Sequence, residues 1–128
     1  MATSTINFPL NFFRRYSGNV TNSLSAVYLA PFLRASIILN GYITNNTSQD
    51  ATITVLVSGQ GDTNFRVAPK PAFYIAKDVL IAGEDTTNIF PSKLVLEAAD
   101  IIAFSTSHPT PGAISFTMGI LETRNDGE

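Results

Sequence analysis

The sequence predicts an all-β protein, an antiparallel β-sandwich that is jelly-roll-like and carries an extended N-terminal arm. Apolar and polar residues alternate with a period of two over much of the chain, as they do in strands with one buried face. Short clusters of Gly, Pro, Asn and Asp separate the alternating segments. Between Leu94 and Leu121 the order is strand, acidic turn, strand, Pro/Gly-rich corner and strand, which leaves no room for a helix.

The size and composition favour one domain held together by packing. A chain of 128 residues is long enough for a single core, and a second independent core is not expected. The absence of cysteine removes disulfides, thiolate nucleophiles and the usual zinc clusters. We therefore predict an N-terminal arm over residues 1–20 and a single β-sandwich domain over residues 21–128.

The arm is defined by its aromatic residues, which surround Pro9 and precede a turn-prone Ser17-Gly18-Asn19. Two interpretations stay open. The segment is either an edge strand packed on its own core or an arm that reaches a neighbouring subunit. In the second case the contact residues are Phe8, Phe12, Phe13 and Tyr16.

The next two segments look like a hairpin. In the first, the predicted inward face is formed by Leu33, Ala35, Ile37, Leu39 and Ile43, and Gly41 marks a bulge. A turn follows over residues 45–50. The second segment has Ala51, Ile53, Val55 and Val57 on its inward face.

The remaining strands follow Pro69-Lys70-Pro71, a stiff connector that is incompatible with a central strand. The first of them is expected to place Phe73, Ile75, Val79 and Ile81 on its apolar face. Four short strands are predicted over residues 86–90, 94–97, 100–105 and 113–122. The total is seven or eight strands at the spacing of a β-sandwich.

Charge and hydropathy exclude several kinds of partner. Charged residues make up 14% of the chain, against about 25% in typical soluble domains. Either the exterior is a neutral surface of Ser, Thr and Asn, or much of it is covered by neighbouring proteins, and we favour the second explanation. The net charge of −2 provides no field for nucleic acid. The sequence has neither a signal-peptide pattern at its start nor an apolar run of about 18 residues, so no membrane partner is expected.

Candidate reactive residues are few. His108 is the only histidine, so a triad or a histidine metal site is not expected. Glu97 and Asp100 bracket a turn and are best explained by turn chemistry. The Gly59 to Gly61 loop does not have the spacing of a phosphate loop. We predict no enzyme activity, cofactor or metal site.

Three segments resemble small all-β virion proteins of tailed bacteriophages. They are Tyr74–Gly83 with an "I-A-G" turn, Lys93–Ile102 with "L-V-L-E-A-A-D", and the closing Gly119–Glu122 with "L-E". The resemblance covers roughly the C-terminal half. The chain departs from it at Ala99, where glycine is more common.

The resemblance implies a non-enzymatic structural protein of the virion, of the decoration, neck or tail type, with capsid decoration favoured. Such a protein forms homo-oligomers, attaches to capsid, neck or tail proteins, and is located in the virion after synthesis in the host cytoplasm. Two rival classes are a carbohydrate-binding module that uses Tyr28, Tyr42 or Tyr74 as stacking platforms, and an enzyme of the cupin kind, for which one histidine is too few.

Overall fold

The computed structural model describes residues 11–32, 34–60, 68–90 and 92–124. Within these residues the chain forms nine strands: β1 Asn11–Asn19, β2 Ser25–Leu29, β3 Arg34–Asn45, β4 Ala51–Gly59, β5 Lys70–Ile81, β6 Thr86–Asn88, β7 Leu94–Leu96, β8 Asp100–Thr106 and β9 Ile114–Arg124. The described residues contain no helix of the length and hydropathy needed to cross a membrane.

The strands form two antiparallel sheets. The first sheet has the order β1-β9-β3-β6, and β7 pairs with β3 as well. The second sheet has the order β2-β8-β4-β5. Because β6 and β7 both pair with β3, they together take the place of one interrupted strand, which gives the eight strand positions of a jelly roll. The predicted all-β sandwich is confirmed.

The core lies between the two sheets. Ile53 of β4, Ile102 of β8 and Met118 of β9 are fully buried and belong to one hydrophobic cluster. The rings of Phe104 and Phe116 join the sheets edge to face, with centroids 5.1 Å apart. Burying a side chain of this size stabilises the fold by about 1.5–3 kcal/mol.

The described part of the predicted arm is an edge strand. Strand β1 pairs with β9 along its whole length, from Asn11 opposite Thr123 to Asn19 opposite Ser115. Residues 11–19 are therefore an edge strand packed on its own core, which is one of the two interpretations that the sequence left open. They are part of the sandwich. Phe8 lies outside the described residues.

Strand β3 faces the core with a different set of residues from the predicted one. Ser36 and Ile38 are fully buried, whereas Ala35 is exposed and Ile37 is only partly buried. The prediction was wrong for Ala35 and Ile37, because a buried hydrogen bond keeps polar Ser36 inside, and it was correct for Ile43, which is fully buried. The register with β9 shifts around Leu39, and this shift returns the following residues of β3 to the predicted orientation.

Gly41 does not mark that bulge. It lies against the ring of Phe90, and a Cβ at this position would come within 2.4 Å of the ring. The ring itself is buried. Glycine is therefore required here by the close approach of an aromatic side chain to the backbone.

The predicted hairpin of β3 and β4 is also wrong, because the two strands lie in different sheets. The five residues between them are enough to cross the roughly 10 Å that separates packed sheets. Buried Asn45 fixes the crossing: its side chain accepts the N–H of Thr47 at 3.0 Å and donates to the carbonyls of Gln49 at 2.7 Å and Ile81 at 3.1 Å. The predicted inward residues of β4 are correct for Ala51, Ile53 and Val55.

Strand β5 departs from its predicted alternation. Ile81 is buried as expected, but Phe73 is 65% exposed and Val79 is 37% exposed. The prediction failed because β5 is the edge strand of its sheet and its register with β4 shifts at three places. One shift lies near Asp78, whose φ of 51° is in the left-handed region. Pro71 lies within this edge strand, where a missing N–H is tolerated.

Candidate assembly interface

Strand β1 is anchored by a buried carboxylate. Glu122 on β9 is 1% exposed. Its Oε1 accepts hydrogen bonds from Arg14 Nε and Arg34 Nη1, each at 2.8 Å, and its Oε2 accepts one from the hydroxyl of Tyr28 at 2.6 Å. The hydroxyls of Tyr28 and Ser36 are 2.8 Å apart. Residues from four strands therefore meet at one carboxylate.

The electrostatics of this cluster keep the carboxylate ionised. Burial by itself raises the pKa of Glu122, but hydrogen bonds from Tyr28, Arg14 and Arg34 outweigh that effect and hold the pKa below its usual value. Burial and the bond to Glu122 raise the pKa of Tyr28, so its hydroxyl stays a donor. The cluster is thus a satisfied structural network.

Two of the predicted contact residues pack within their own subunit. The ring of Phe12 lies under the guanidinium groups of Arg34, at 4.7 Å from the ring centroid, and Arg14, at 5.4 Å. The ring of Tyr16 meets that of Tyr28 edge to face at 5.0 Å. Both side chains are partly buried. Phe13 differs, because its side chain is 76% exposed.

Phe13 begins an apolar row across the outer face of the first sheet. It is paired with Leu121 on β9, Leu121 is paired with Ile37 on β3, and Ile37 is paired with Val95 on β7. Paired residues of antiparallel strands share a face, so these four side chains stand side by side. We call them the outer row. Its two ends, Phe13 and Val95, are 76% and 65% exposed.

A second apolar surface adjoins the outer row. The sandwich is open between β5 and β7, where a cavity of about 340 Å³ is lined by Val57, Pro71, Phe73, Leu94 and Val95. A smaller cavity of about 210 Å³ continues past Leu94 and is lined by Ile75, Phe90, Ser92 and Lys93. We call the two cavities together the edge groove. Val95 belongs to both surfaces, so they are continuous.

Two charged residues, Lys70 and Asp100, also line the larger cavity. Lys70 forms ion pairs with Glu97 and with Asp100, whose Oδ1 lies 3.0 Å from Lys70 Nζ. The hydrogen bond to Glu97 raises the pKa of Lys70. The other oxygen of Asp100 accepts the N–H of Glu97 at 2.8 Å, which is turn chemistry as predicted. These three charges are paired with one another, and the other residues that line the larger cavity are apolar apart from Ser58.

The structure also locates the other residues considered from the sequence. Nδ1 of His108 accepts the N–H of Thr110 at 3.1 Å within a loop. Tyr28 is buried and cannot act as a sugar platform, while Tyr42 and Tyr74 lie on different sheets. Over the described residues, no group of three or more His, Cys, Asp or Glu side chains is arranged to hold a metal ion.

Sequence reasoning identified Phe13 but missed the other members of the outer row. Ile37 was assigned to the core, and Leu121 and Val95 were seen only as strand residues. The one local signal was that Ile37, Ile38 and Leu39 are consecutive apolar residues, so some must face outward. Which of them join a row depends on the pairing of residues far apart in the chain, which local pattern does not reveal.

Comparison with protein-family models gives no match. Comparison with curated proteins gives none either. Among solved structures, a chain of infectious bursal disease virus, Gx strain, is similar, with a TM-score of 0.57 and 11% sequence identity. The alignment covers 92% of this chain and 33% of the viral chain. A chain of the T13 particle of the same virus has a TM-score of 0.55, 10% identity, and coverage of 93% and 32%. This chain thus spans about one third of the length of those viral proteins.

A chain of the disulfide-linked pili of Bacillus endospore appendages aligns over 97% of this chain and 98% of its own length, with 11% identity. Its TM-score of 0.47 is too low to support a shared fold. At these identities the viral likenesses show the fold alone. They are consistent with the two-sheet architecture described above.

Proposed function

We propose that this protein is a non-enzymatic structural subunit of a virus particle. It forms homo-oligomers and attaches to other virion proteins. The observation that carries the proposal is the outer row, in which four apolar side chains from four strands stand side by side and end in the exposed Phe13 and Val95. Contiguous apolar surface of this kind is characteristic of protein–protein contacts.

The low charge of the chain supports the same role. Charged residues are depleted in the centres of protein interfaces, and here they make up only 14% of the sequence. A subunit that repeats one contact in a symmetric assembly uses a single apolar surface many times. The fold, which is similar to that of chains in viral particles, suits such repetition.

Within this class we favour capsid decoration in a tailed bacteriophage. The support is the resemblance of Tyr74–Gly83 and Lys93–Ile102 to small virion proteins of these phages. Phe13 is the described residue that we propose as a contact, and Phe8 is proposed with it. The carbohydrate-binding alternative is not favoured, because Tyr28 is buried and its hydroxyl donates a hydrogen bond to Glu122.

Sedimentation velocity tests the assembly role. We expect the wild-type chain to form oligomers, and Phe13→Ser to weaken them without changing thermal unfolding, because Phe13 is 76% exposed in the subunit. Ser17→Ala is the matched control, since Ser17 lies on the same face of β1 outside the outer row. A wild-type chain that stays monomeric at high concentration would overturn the proposal.

Mass spectrometry of purified virions tests the location. If the protein is a virion subunit, purified particles of the virus that encodes it contain the chain in a fixed number of copies. Its absence from washed particles, with the chain present in the lysate, would contradict a virion role.

A further inference from the structure

The edge groove is a mostly apolar surface, and the chain itself contains a segment that fits it. We propose that residues 6–10 of one subunit dock into the edge groove of a second copy, with Ile6, Phe8 and Leu10 facing the apolar wall. This inference rests on the proposed function, because it names a second copy of the chain as the partner and adds a contact, beside the outer row, through which the subunits assemble.

The segment matches the groove in chemistry. Ile6, Phe8 and Leu10 alternate with Asn7 and Pro9, so an extended chain would place the three apolar side chains on one side. Residues 1–10 include no charged side chain. Most residues of the groove wall are apolar, and the charges of Lys70, Glu97 and Asp100 are paired with one another, so an uncharged apolar segment suits the groove.

The groove also matches the segment in form. It consists of two cavities, about 340 and 210 Å³, that meet at Leu94. Such a groove suits successive side chains of an extended peptide. Within the described residues, β5 pairs only with β4, so its outer edge offers backbone groups to an added strand. Extended peptides commonly bind by adding to an edge strand while their alternate side chains fill pockets.

The covalent length of the chain indicates that the occupant comes from a second copy. Asn11 lies on β1, and the groove begins at β7, three strand pairings away. At the usual strand spacing that distance is about 14 Å. Consecutive Cα atoms are about 3.8 Å apart, so Phe8 reaches at most about 11 Å from Asn11, and Leu10 only about 4 Å. The segment therefore cannot fill the groove of its own subunit.

The contact is head to tail. The segment leaves from β1, at one edge of the first sheet, and the groove lies at the opposite edge. One subunit can thus donate a segment at one side while accepting a segment at the other. Contacts of this kind generate a ring if the rotation closes and a filament if it does not.

Disulfide trapping tests the proposal in the full chain, which has no cysteine of its own. The donor is Ile6→Cys, whose side chain faces the groove in the proposed arrangement and which keeps Phe8 and Leu10. The acceptors are Ser58→Cys in the larger cavity and Ser92→Cys in the smaller one. Ser23→Cys, an exposed residue between β1 and β2, is the matched control acceptor. One partner is labelled with ¹⁵N so that mass identifies mixed dimers.

We expect mixed disulfide dimers of the donor with at least one groove acceptor and not with Ser23→Cys. Adding Phe8→Ser to the donor should reduce the yield several-fold, whereas adding Thr5→Ser should leave it unchanged. Equal trapping at Ser23→Cys, or no loss with Phe8→Ser, would overturn the docking. So would a double variant Ile6→Cys, Ser58→Cys that closes within one chain.

The outcomes separate this inference from the proposed function. A wild-type chain that forms oligomers but gives no groove-specific disulfide overturns the docking and leaves the assembly role standing. A wild-type chain that remains monomeric overturns the assembly role itself, and the docking with it.

Discussion

Replacing Glu122 by glutamine is the change to which the fold should be most sensitive. The substitution keeps the size of the side chain but removes the charge that Arg14 and Arg34 share. It also turns one oxygen into an N–H₂ donor, which cannot accept the hydrogen bonds that the carboxylate accepted. Removing one partner of a buried ion pair typically costs about 3–5 kcal/mol.

We expect the lower end of that range, about 3 kcal/mol, for Glu122→Gln. The side chains of Arg14 and Arg34 are 43% and 28% exposed, so water compensates part of their lost partner. For a chain of 128 residues the unfolding entropy corresponds to about 4 °C in Tm per kcal/mol. Thermal unfolding followed by circular dichroism should therefore show a fall in Tm of about 10 °C at neutral pH.

The effect should depend on pH with a definite sign. Because the folded-state pKa of Glu122 lies below its unfolded value of about 4.3, its contribution is present above that pH. It is lost as the pH falls through the folded-state pKa. The difference in Tm between wild type and Glu122→Gln should thus shrink in acid.

Glu97→Gln is the matched control. It is the same substitution in an ion pair with Lys70, but the Glu97 side chain is 77% exposed. Exposed pairs contribute less than about 1 kcal/mol, so its Tm should change by less than about 4 °C. If Glu122→Gln changed the Tm no more than Glu97→Gln, the reasoning about the buried network would be refuted.

Two further substitutions test backbone features, each by urea or thermal unfolding. Ala99→Gly should stabilise the fold by up to about 1 kcal/mol, because Ala99 has a φ of 67°, where glycine has no steric penalty. A loss of stability would contradict this expectation. Gly41→Ala should destabilise the fold by about 1–3 kcal/mol, because the new Cβ would lie 2.4 Å from the buried ring of Phe90. An unchanged unfolding midpoint would contradict this, because it would show that the ring moves freely.

Local pattern predicted the inward residues of β4. On β4, Ala51, Ile53 and Val55 are inward as expected, because each alternates with a polar or partly exposed neighbour. On β3 the pattern failed, because the buried hydroxyl of Ser36 belongs to a network completed by Glu122, 86 residues later in the chain. A local sequence window cannot contain that partner.

The candidate interface was predictable only in part. The aromatic character of residues 8–16 pointed to Phe13, but the same pattern included Phe12, whose ring is covered by Arg34 of the same subunit. The outer row and the edge groove depend on which strands are neighbours and on which edges stay unpaired. These are properties of topology, set by long-range pairing, and the predicted hairpin of β3 and β4 shows how a local signal misassigns them.

The most direct test of the account is the solvent accessibility of Phe13 in the native protein, measured by hydroxyl-radical footprinting at rising concentration. If subunits cover the outer row, the oxidation rate of Phe13 should fall as oligomers form, from the high value expected for a side chain that is 76% exposed in the single subunit. A rate that stays high at every concentration would contradict the claim that this surface mediates assembly.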